Sequence, residues 1–348
     1  MNTLAALKLP QEWKKQVRSK QLFYYLFFGV IGLGLLYFLI QNQGKQSLLE
    51  SLKKVNYWWA LPIFFIAVFN NIIRSLRWLL LLKTLGHRPG LLNAFNALMF
   101  GYMVNYAIPR MGEITRCIAL KKSVNIPFKS ALGTVITERI IDVLSLLIVC
   151  MLAVSWAYNE ISSFVLQNIV KPLLDIFVIW SGNIWYVFFA LSLFLALSVL
   201  ILGLFKSQLI NFAEQKQLKQ RLLEVWRGII SIKNVEKPLL FFVYTILIWL
   251  NYFLSTYLWF FAFDIEPSIK VGLVVMAMGS IAKSLPIQGG GLGAYHFVVA
   301  QAIVIFGFTQ LQGNTLAIVN HGFQTVYQIG LGVLGMIYFA RKIKSHAR

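Results

Sequence analysis

The amino-acid sequence predicts an all-α polytopic membrane protein with about six full spans and two re-entrant helical hairpins. Hydrophobic residues make up 58% of the chain and charged residues only 13%, and the mean hydropathy is +0.70. A soluble core of 348 residues cannot bury that much apolar surface. Apolar runs long enough to span a bilayer recur along the chain, and two of them are interrupted near their centres.

Six uninterrupted stretches approach or exceed the roughly 20 apolar residues that a spanning helix needs. They are residues 22–40, 58–82, 130–154, 184–205, 239–263 and 314–340. The first lacks a small-residue cleavage pattern after it, so we expect a retained span and no cleaved signal peptide. We therefore predict one transmembrane domain over residues 22–340.

Two further apolar stretches, 91–120 and 271–307, are broken by Pro109 and by Pro286. Proline removes a backbone donor and interrupts the helix ladder. We predict that each stretch forms a pair of half-helices that enters and leaves on one side. Non-helical backbone at membrane depth must be buried in protein or line a watery cavity, so both breaks should face a common interior.

The distribution of Lys and Arg predicts the orientation. With a cytoplasmic N-terminus, 21 of the 32 Lys and Arg residues fall on inside segments and 5 on outside segments. This asymmetry is typical of the positive-inside rule. It predicts an inner-membrane protein with both termini cytoplasmic, whose first hairpin enters from the cytoplasm and whose second enters from outside. That relation is expected of inverted structural repeats around a site near the midplane.

Four flanking segments complete the predicted layout. Residues 1–21 are basic and suit a helix on an anionic cytoplasmic surface, and residues 341–348 form a basic cytoplasmic tail. Residues 206–237 alternate charged and apolar side chains, which predicts an amphipathic cytoplasmic helix. Residues 155–183 favour an external interfacial helix over a seventh span.

The formal charge of +20 would suggest nucleic acid binding in a soluble protein. Here the basic residues lie between hydrophobic runs, where they orient the chain and contact anionic lipid, so we expect membrane lipids as partners and no nucleic acid. Cys117 and Cys150 have no ligand spacing, and the four histidines are scattered. We expect no metal and no cofactor.

The first break carries polar and charged residues inside apolar surroundings: Asn105, Pro109, Arg110, Gly112, Glu113 and Arg116. An uncompensated charge at membrane depth costs about 2.5–3.5 kcal/mol on insertion scales, so the cluster is a candidate site. Gly112 permits close approach to a helix N-terminus, and guanidinium groups suit a lipid phosphate. Glu113 can pair with Arg116 one turn on. The alternative is a buried ion pair that only holds the hairpin.

The following span carries Glu138, Arg139 and Asp142 on one face, at spacings of three and four residues. These carboxylates can balance charge or carry a proton for a substrate. They can equally clasp the arginines of the break, and the sequence leaves both readings open. Arg74 and Arg77 lie near a helix end, where we expect at least one of them to snorkel to the interface.

The second break adds another polar cluster: Lys283, Gln288, Gly289, Gly290, Gly291, Gly293 and His296. The glycines expose backbone amides and permit positive φ. The run lacks the preceding strand and the Gly-Lys-Ser ending of a phosphate-binding loop, so nucleotide binding is not predicted. A lone histidine is more often a packing residue than a ligand.

These motifs resemble the lysylphosphatidylglycerol synthase transmembrane family, also called flippase-like membrane proteins, over about residues 15 to 342. The resemblance rests on Asn105 to Arg116, Thr137 to Arg139 with Asp142, and Pro286 with Gly289 to Gly293. In that family this domain is the lipid-translocating part of the multiple peptide resistance factor, an aminoacyl-phospholipid synthase and flippase. Because the chain ends soon after the last span, we expect neither the synthase domain nor its activity. His296 stands where the family commonly has a glutamate.

The expected function is transport of an anionic phospholipid or polyprenyl-phosphate lipid between leaflets, without catalysis. Arg110 and Arg116 would hold the phosphate, and Glu138 and Asp142 would set the charge balance. One alternative is an intramembrane transferase acting on a lipid-linked sugar or amino acid, with Glu138, Asp142 or His296 as acid or base. Another is a non-catalytic partner of a separate lipid synthase. A homodimer or an association with a lipid-modifying enzyme is compatible with each.

Overall fold

A computed structural model describes residues 44–172, residues 235–284 without 264 and 267, and residues 291–346, with four isolated positions between 30 and 41. Within these residues the secondary structure is helical, without strands. The predictions for residues 1–21, for the span 184–205, and for most of 22–40 and 206–237 lie outside the described residues.

Ten α-helices follow one another in the described part of the chain. They are α1 (Lys45–Lys53), α2 (Ala60–Thr84), α3 (Leu91–Ala107), α4 (Met111–Val124), α5 (Phe128–Trp156), α6 (Tyr158–Val165), α7 (Pro238–Tyr257), α8 (Ile269–Ser284), α9 (Ala294–Val304) and α10 (Gln310–His346). Short 3₁₀ turns precede α2 and follow α7. The all-α membrane fold is therefore confirmed.

Three helical segments of the described residues are long and apolar enough to cross a bilayer: Tyr57–Thr84, Pro238–Ala262 and Gln310–Ile343. The fourth candidate is α5 taken with α6, although the two axes bend by 82° at their junction. These four correspond to the spans predicted at 58–82, 239–263, 314–340 and 130–154. The turn into α6 is compatible with the interfacial helix predicted for 155–183, which is described as far as residue 172.

The first broken stretch folds as a helical hairpin of α3 and α4, here called the first hairpin. Helix α3 ends at Ala107, two residues before Pro109, and α4 begins at Met111. The chain turns back so sharply that a Cβ on Gly101 would lie 2.8 Å from the carbonyl oxygen of Gly112. Arg110 occupies the turn with a left-handed φ of 65°, a conformation that few residues other than glycine adopt. The break at Pro109 is thus confirmed.

The second broken stretch pairs α8 with α9 and is here called the second hairpin. The ring of Tyr295 on α9 packs so closely on α8 that a Cβ on Gly279 would lie 2.9 Å from it. Gly291 and Gly293 take the positive φ values that the glycine run predicts, 92° and 80°. The tip itself, with Pro286, Gln288, Gly289 and Gly290, lies outside the described residues.

The same succession of long helix, hairpin and long helix occurs twice: α2, first hairpin, α5, and then α7, second hairpin, α10. Helix α10 packs against both hairpins, through α3 and α9, and α2 packs on α7. Gly332 and Gly335 let α10 approach α3 closely, since a Cβ on them would lie 2.8 Å and 2.6 Å from carbonyl oxygens of α3. The described helices thus form two similar successive units, and the inversion between them stays a prediction.

Two separate apolar cores hold the hairpins. The first hairpin packs with α2 and α5 around Trp78 and Leu120. The second hairpin packs with α10 and the end of α7 around Trp259 and Val299. Helix α10 continues to His346, so most of the predicted basic tail extends this helix. At about 1.5 Å per residue, α10 is longer than the roughly 30 Å hydrocarbon layer.

Candidate functional site

A cavity of about 750 Å³ lies between the two hairpins and helices α2, α5, α7 and α10. Arg110 and Glu113 of the first hairpin line it, as do Lys283 and Tyr295 of the second. Both hairpins therefore line one interior, in keeping with the common interior that the sequence predicted for them. The wall mixes apolar side chains with tyrosines, amides and charged groups.

Cations outnumber carboxylates two to one on the described wall of this cavity. The charged lining residues are Arg74, Arg110, Arg139 and Lys283 against Glu113 and Asp142. The cavity is thus suited to an anion. Which charged groups are available to a ligand depends on the ion pairs that each of them already makes within the protein.

Asp142 on α5 is shared by three arginines. Its carboxylate accepts hydrogen bonds from Arg74 at 3.1 Å and from Arg77 at 2.6 Å. Arg139, one turn before it on the same helix, pairs with it at 3.0 Å. With its two oxygens engaged in this way, Asp142 has little capacity to balance a positive ligand.

Glu138 is fully buried and joins α2 to the first hairpin. It accepts hydrogen bonds from Arg77 at 3.2 Å and from Arg116 at 2.7 Å. The Arg116 guanidinium also lies 4.6 Å from the ring centroid of Trp78, a cation–π contact. Neither Arg116 nor Glu138 is among the described residues that line the cavity. Arg116 and Glu138 thus form a buried ion pair that holds the first hairpin, which is one of the two alternatives that the sequence leaves open.

The predicted pairing of Glu113 with Arg116 is wrong. Arg116 turns toward α5 and binds Glu138, because that carboxylate is buried beside it while Glu113 faces the cavity. Glu113 Oε2 is left buried without a hydrogen-bond partner among the described residues.

The expectation that Arg74 or Arg77 snorkels to the interface is also wrong. Arg77 is fully buried and Arg74 only 4% exposed. Carboxylates on α5 pair with both guanidinium groups. On α7, the Tyr252 hydroxyl accepts a hydrogen bond from Arg74 at 2.6 Å, and the Thr245 hydroxyl accepts one from Arg77 at 3.3 Å. Because each guanidinium group has a carboxylate beside it, it gains nothing by extending to the membrane interface. The network therefore ties α2, α4, α5 and α7 together.

Arg110 differs from the arginines of this network because no carboxylate among the described residues pairs with it. It is exposed to the cavity at the turn of the first hairpin. Among the described residues it has no ion-pair partner. Asn105 holds this turn, since its Oδ1 accepts a hydrogen bond from the Gly112 amide at 2.6 Å. Asn105 thus has a structural role in addition to lining the cavity.

Lys283 is the cation that the second hairpin contributes. Its ammonium donates to the side-chain oxygen of Gln324 on α10 and lies 4.5 Å from the ring centroid of Tyr295. Asn320 donates to the Tyr295 hydroxyl at 2.8 Å and so fixes the ring. Both direct partners of Lys283 are neutral, so its charge remains available to an anion.

His296 lies behind the wall of the cavity. It is buried, and its Nδ1 accepts a hydrogen bond from the Gly293 amide at 3.2 Å, at the start of α9. Its ring also contacts that of His321 at a centroid distance of 4.8 Å. His296, Gly291 and Gly293 are not among the described residues that line the cavity. This placement agrees with a packing histidine.

Several lining residues carried no signal in the sequence: Asn70, Trp249, Tyr252 and Tyr327. Each stands in a long apolar helix, where a polar or aromatic residue also fits ordinary packing. Buried Asn70 Oδ1 and Trp249 Nε1 have no hydrogen-bond partner among the described residues. Their position on the same cavity wall as the charged groups is seen only in the folded structure.

Fold and site together define a multi-pass α-helical membrane protein with a cationic cavity between two helical hairpins. The chain belongs to the family described as the lysylphosphatidylglycerol synthase TM region, whose family model matches residues 25–332. The family resemblance seen in the sequence motifs is therefore confirmed.

The curated relatives are archaeal membrane proteins. One stretch of 102 residues, covering 28% of this chain and 30% of the relative, is 29% identical to a UPF0104 membrane protein of Methanocaldococcus jannaschii. A UPF0104 membrane protein of Methanothermobacter thermautotrophicus is 22% identical over 91% of this chain and 95% of its own length. Another from that organism is 24% identical over 68% of this chain and 70% of its own length. No solved structure matches the chain.

Proposed function

We propose that the protein transports a lipid between the two leaflets of the membrane. The headgroup of a phospholipid or polyprenyl-phosphate lipid would cross through the cavity while its tails remain in the bilayer. The observation that carries this proposal is the cavity lined by both hairpins, with an excess of positive charge on its wall. Paired broken segments around a site near the midplane are a recurrent design of transporters.

In this proposal Arg110 is the first contact of the lipid phosphate. Its guanidinium is exposed, uncompensated and placed at the turn of the first hairpin. Lys283 and Arg139 would complete the phosphate contacts from other walls of the cavity. Arg116, which the sequence paired with Arg110 in this role, would instead hold the hairpin in place through Glu138.

A transferase is less well supported by the same geometry. A general acid or base must exchange a proton with the substrate within hydrogen-bond reach. Glu138 and His296 lie off the cavity, and Asp142 is paired with three arginines. We therefore favour transport over group transfer.

We further propose an inner-membrane location with both termini cytoplasmic, on the strength of the Lys and Arg distribution. With this orientation the first hairpin opens to the cytoplasm and the second to the outside. An impermeant thiol reagent should label Lys122→Cys from the cytoplasmic side and Lys53→Cys from the other, since both positions are exposed and lie outside the shared cavity. Labelling of both from one side would contradict the orientation.

Reconstitution into vesicles tests transport directly. A tail-labelled fluorescent lipid is incorporated in both leaflets, and a quencher that cannot cross the bilayer is added outside. The wild-type protein should make nearly all of the fluorescence accessible, whereas Arg110→Ala should approach the rate of protein-free vesicles. Lys122→Ala is the matched control, because it removes one exposed positive charge from the same hairpin outside the cavity.

Two outcomes would count against this function. One is wild-type protein that leaves the inner leaflet inaccessible for every lipid offered. The other is Arg110→Ala protein that moves lipid as fast as wild type while its melting temperature is unchanged. Formation of a new lipid product without movement between leaflets would favour the transferase.

A further inference from the structure

Helix α10 packs against both hairpins, with a different part of its length on each. Its first part lies on α9 and adds Leu316 and Ala317 to the apolar core around Trp259. Its last part lies on α3 and adds Phe339 to the core around Trp78. The two cores share no residue, so α10 connects two hairpins that are packed separately.

Both ends of α10 are fixed by close contact with a hairpin. A Cβ on Gly313 would lie 2.8 Å from the Ala300 carbonyl oxygen of α9, and Cβ atoms on Gly332 and Gly335 would lie 2.8 Å and 2.6 Å from carbonyl oxygens of α3. At these three positions the absence of a side chain lets the two backbones approach. Neither end of α10 can therefore shift against its hairpin without losing this contact.

The middle of α10, residues 322–331, is packed differently and is here called the middle segment. None of its residues is buried. It contains two exposed glycines, Gly322 and Gly330, and a Cβ on either would meet nothing within 4 Å. These glycines serve no close contact in the described part of the chain, while they retain the backbone freedom that weakens a helix interior. Thr325 between them donates a hydrogen bond to the His321 carbonyl oxygen at 2.8 Å, an arrangement that often bends helices.

Helix α5 gives an internal comparison, because it also reaches both cores, at Val135 and at Ala153. Within this stretch residues 142–152 are likewise not buried, yet they include no glycine. We therefore expect α5 to move as one rigid helix. Helix α10, in contrast, has two glycines without a packing role in the segment that separates its two fixed ends.

The middle segment also lines the cavity, through Gln324, Tyr327 and Gln328. Gln324 accepts a hydrogen bond from Lys283 of the second hairpin. A change of helix direction here moves these side chains and alters the angle between the end of α10 that holds α9 and the end that holds α3. A few residues that absorb a change in φ and ψ are the usual form of a hinge between rigid parts.

We propose that α10 bends at the middle segment, and that this bend swings the two hairpins relative to each other and opens the cavity toward one leaflet at a time. The opening toward alternate leaflets rests on the proposed function, since transport of a headgroup requires it. The bend is a property of the helix and can be measured without a lipid.

The test begins with the distance between the two hairpins in the purified full chain. Spin labels are placed on Lys122→Cys of the first hairpin and Phe297→Cys of the second, both exposed and outside the described cavity wall. Cys117 and Cys150 are replaced by alanine so that only these two positions react. Pulsed electron paramagnetic resonance should give a broad or two-peaked distribution of distances.

Variants of the middle segment should change this distribution in opposite directions. The double variant Gly322→Ala/Gly330→Ala should reduce it to one narrow peak, because alanine favours a regular helix. Val326→Gly should broaden it, because it adds a further glycine at an exposed position of the same segment.

Stability and transport separate a bend from a packing defect. The double variant should melt no lower than wild type, since neither new Cβ meets another atom. It should nevertheless move lipid between the leaflets of vesicles about tenfold more slowly, because two glycine-to-alanine changes disfavour the bent helix. Gly133→Ala is the matched control, since this exposed glycine of α5 has open space around its Cβ position and lies off the cavity wall. It should change neither the distances nor transport.

A lower melting temperature of the double variant overturns the inference, because it would mean that packing requires these glycines. A distance distribution that neither the double variant nor Val326→Gly changes also overturns it, as does a narrowed distribution with transport at the wild-type rate. The expected distances in a protein that moves no lipid would sustain the bend and overturn the proposed function. Wild-type transport by the double variant with unchanged distances would sustain transport and overturn the bend.

Discussion

Both hairpins pack in an apolar core, but the first adds buried charge to that packing. It is also fastened by the buried Arg116–Glu138 pair, and its turn carries Arg110, which has no ion-pair partner among the described residues. The second is fastened by apolar packing around residues such as Val275 and Val299. Its cavity-lining cation, Lys283, is bound to a neutral amide and a ring.

Both hairpins also cap their second helix with a side chain. Asn105 accepts from the Gly112 amide at 2.6 Å, and His296 accepts from the Gly293 amide at 3.2 Å. The comparison shows that each hairpin has close contact between its two helices and a side-chain hydrogen bond at the start of its second helix, whereas the buried ion pair is an addition of the first. In the first hairpin that addition lies outside the cavity lining, where Arg116 of α4 binds Glu138 of α5.

The largest expected effect comes from breaking the charged fastening. Glu138→Gln keeps the shape and leaves Arg77 and Arg116 short of one negative charge. Removing one partner of a buried pair costs about 3–5 kcal/mol, because the remaining charge is buried without compensation. We expect a loss of that order in the free energy of unfolding, measured by denaturation of the purified protein in detergent.

Glu160→Gln is the matched control, since Glu160 pairs with Lys270 at 2.8 Å on the second hairpin in a partly exposed position. The hydrogen bond from Lys270 holds the pKa of Glu160 below its ordinary value, so the substitution also removes a negative charge at neutral pH. Its effect on stability should be far smaller. Equal losses for the two variants would mean that the first hairpin does not depend on its buried charge.

The sequence predicted the local features of this comparison well. Pro109 marked the break, because proline ends a helix irrespective of its surroundings. Helical spacing placed Glu138, Arg139 and Asp142 near one face of α5, and membrane depth required the broken segments to share an interior. Each of these inferences depends on neighbours in sequence or on the bilayer.

The partners across helices could not be predicted in the same way. Helical spacing gives the face of a residue and leaves open which helix lies opposite. The sequence therefore predicts at least one of Arg74 and Arg77 at the interface, although carboxylates of α5 pair with both. It also assigns Arg116 to the ligand, although Arg116 fastens the hairpin. Trp249 carried no separate signal, because tryptophan is common in membrane helices.

The second-largest expected effect comes from adding a methyl group at a glycine where the two helices of each hairpin come close together. A Cβ on Gly112 would lie 2.6 Å from Asn105 Cγ and would also collide with the Gly101 carbonyl, whereas a Cβ on Gly279 would meet the Tyr295 ring at 2.9 Å. Backbone moves less readily than a side chain. Overpacking costs about 1–3 kcal/mol, and we expect Gly112→Ala near the upper end and Gly279→Ala near the lower end, measured by the same denaturation.

Gly133→Ala provides the control for the substitution itself. Its Cβ would meet nothing within 4 Å, so the variant should be neutral or gain up to about 1 kcal/mol from helix propensity. A smaller loss for Gly112→Ala than for Gly279→Ala would contradict the view that the first hairpin is the more tightly closed.

The smallest effect concerns the cap of the first hairpin. Asn105→Ala removes the acceptor of the Gly112 amide, which lies at the start of α4 with no preceding helical carbonyl to bind. A hydrogen bond of this kind contributes about 0.5–1.5 kcal/mol net, so the free energy of unfolding should fall by that amount. Asn105→Asp retains an acceptor oxygen at the same distance from the backbone and should keep most of the stability. If the alanine variant were as stable as wild type, or the aspartate variant lost as much as the alanine one, the turn at Arg110 would be held by packing alone, and a stabilising side-chain cap would not be a feature that the two hairpins share.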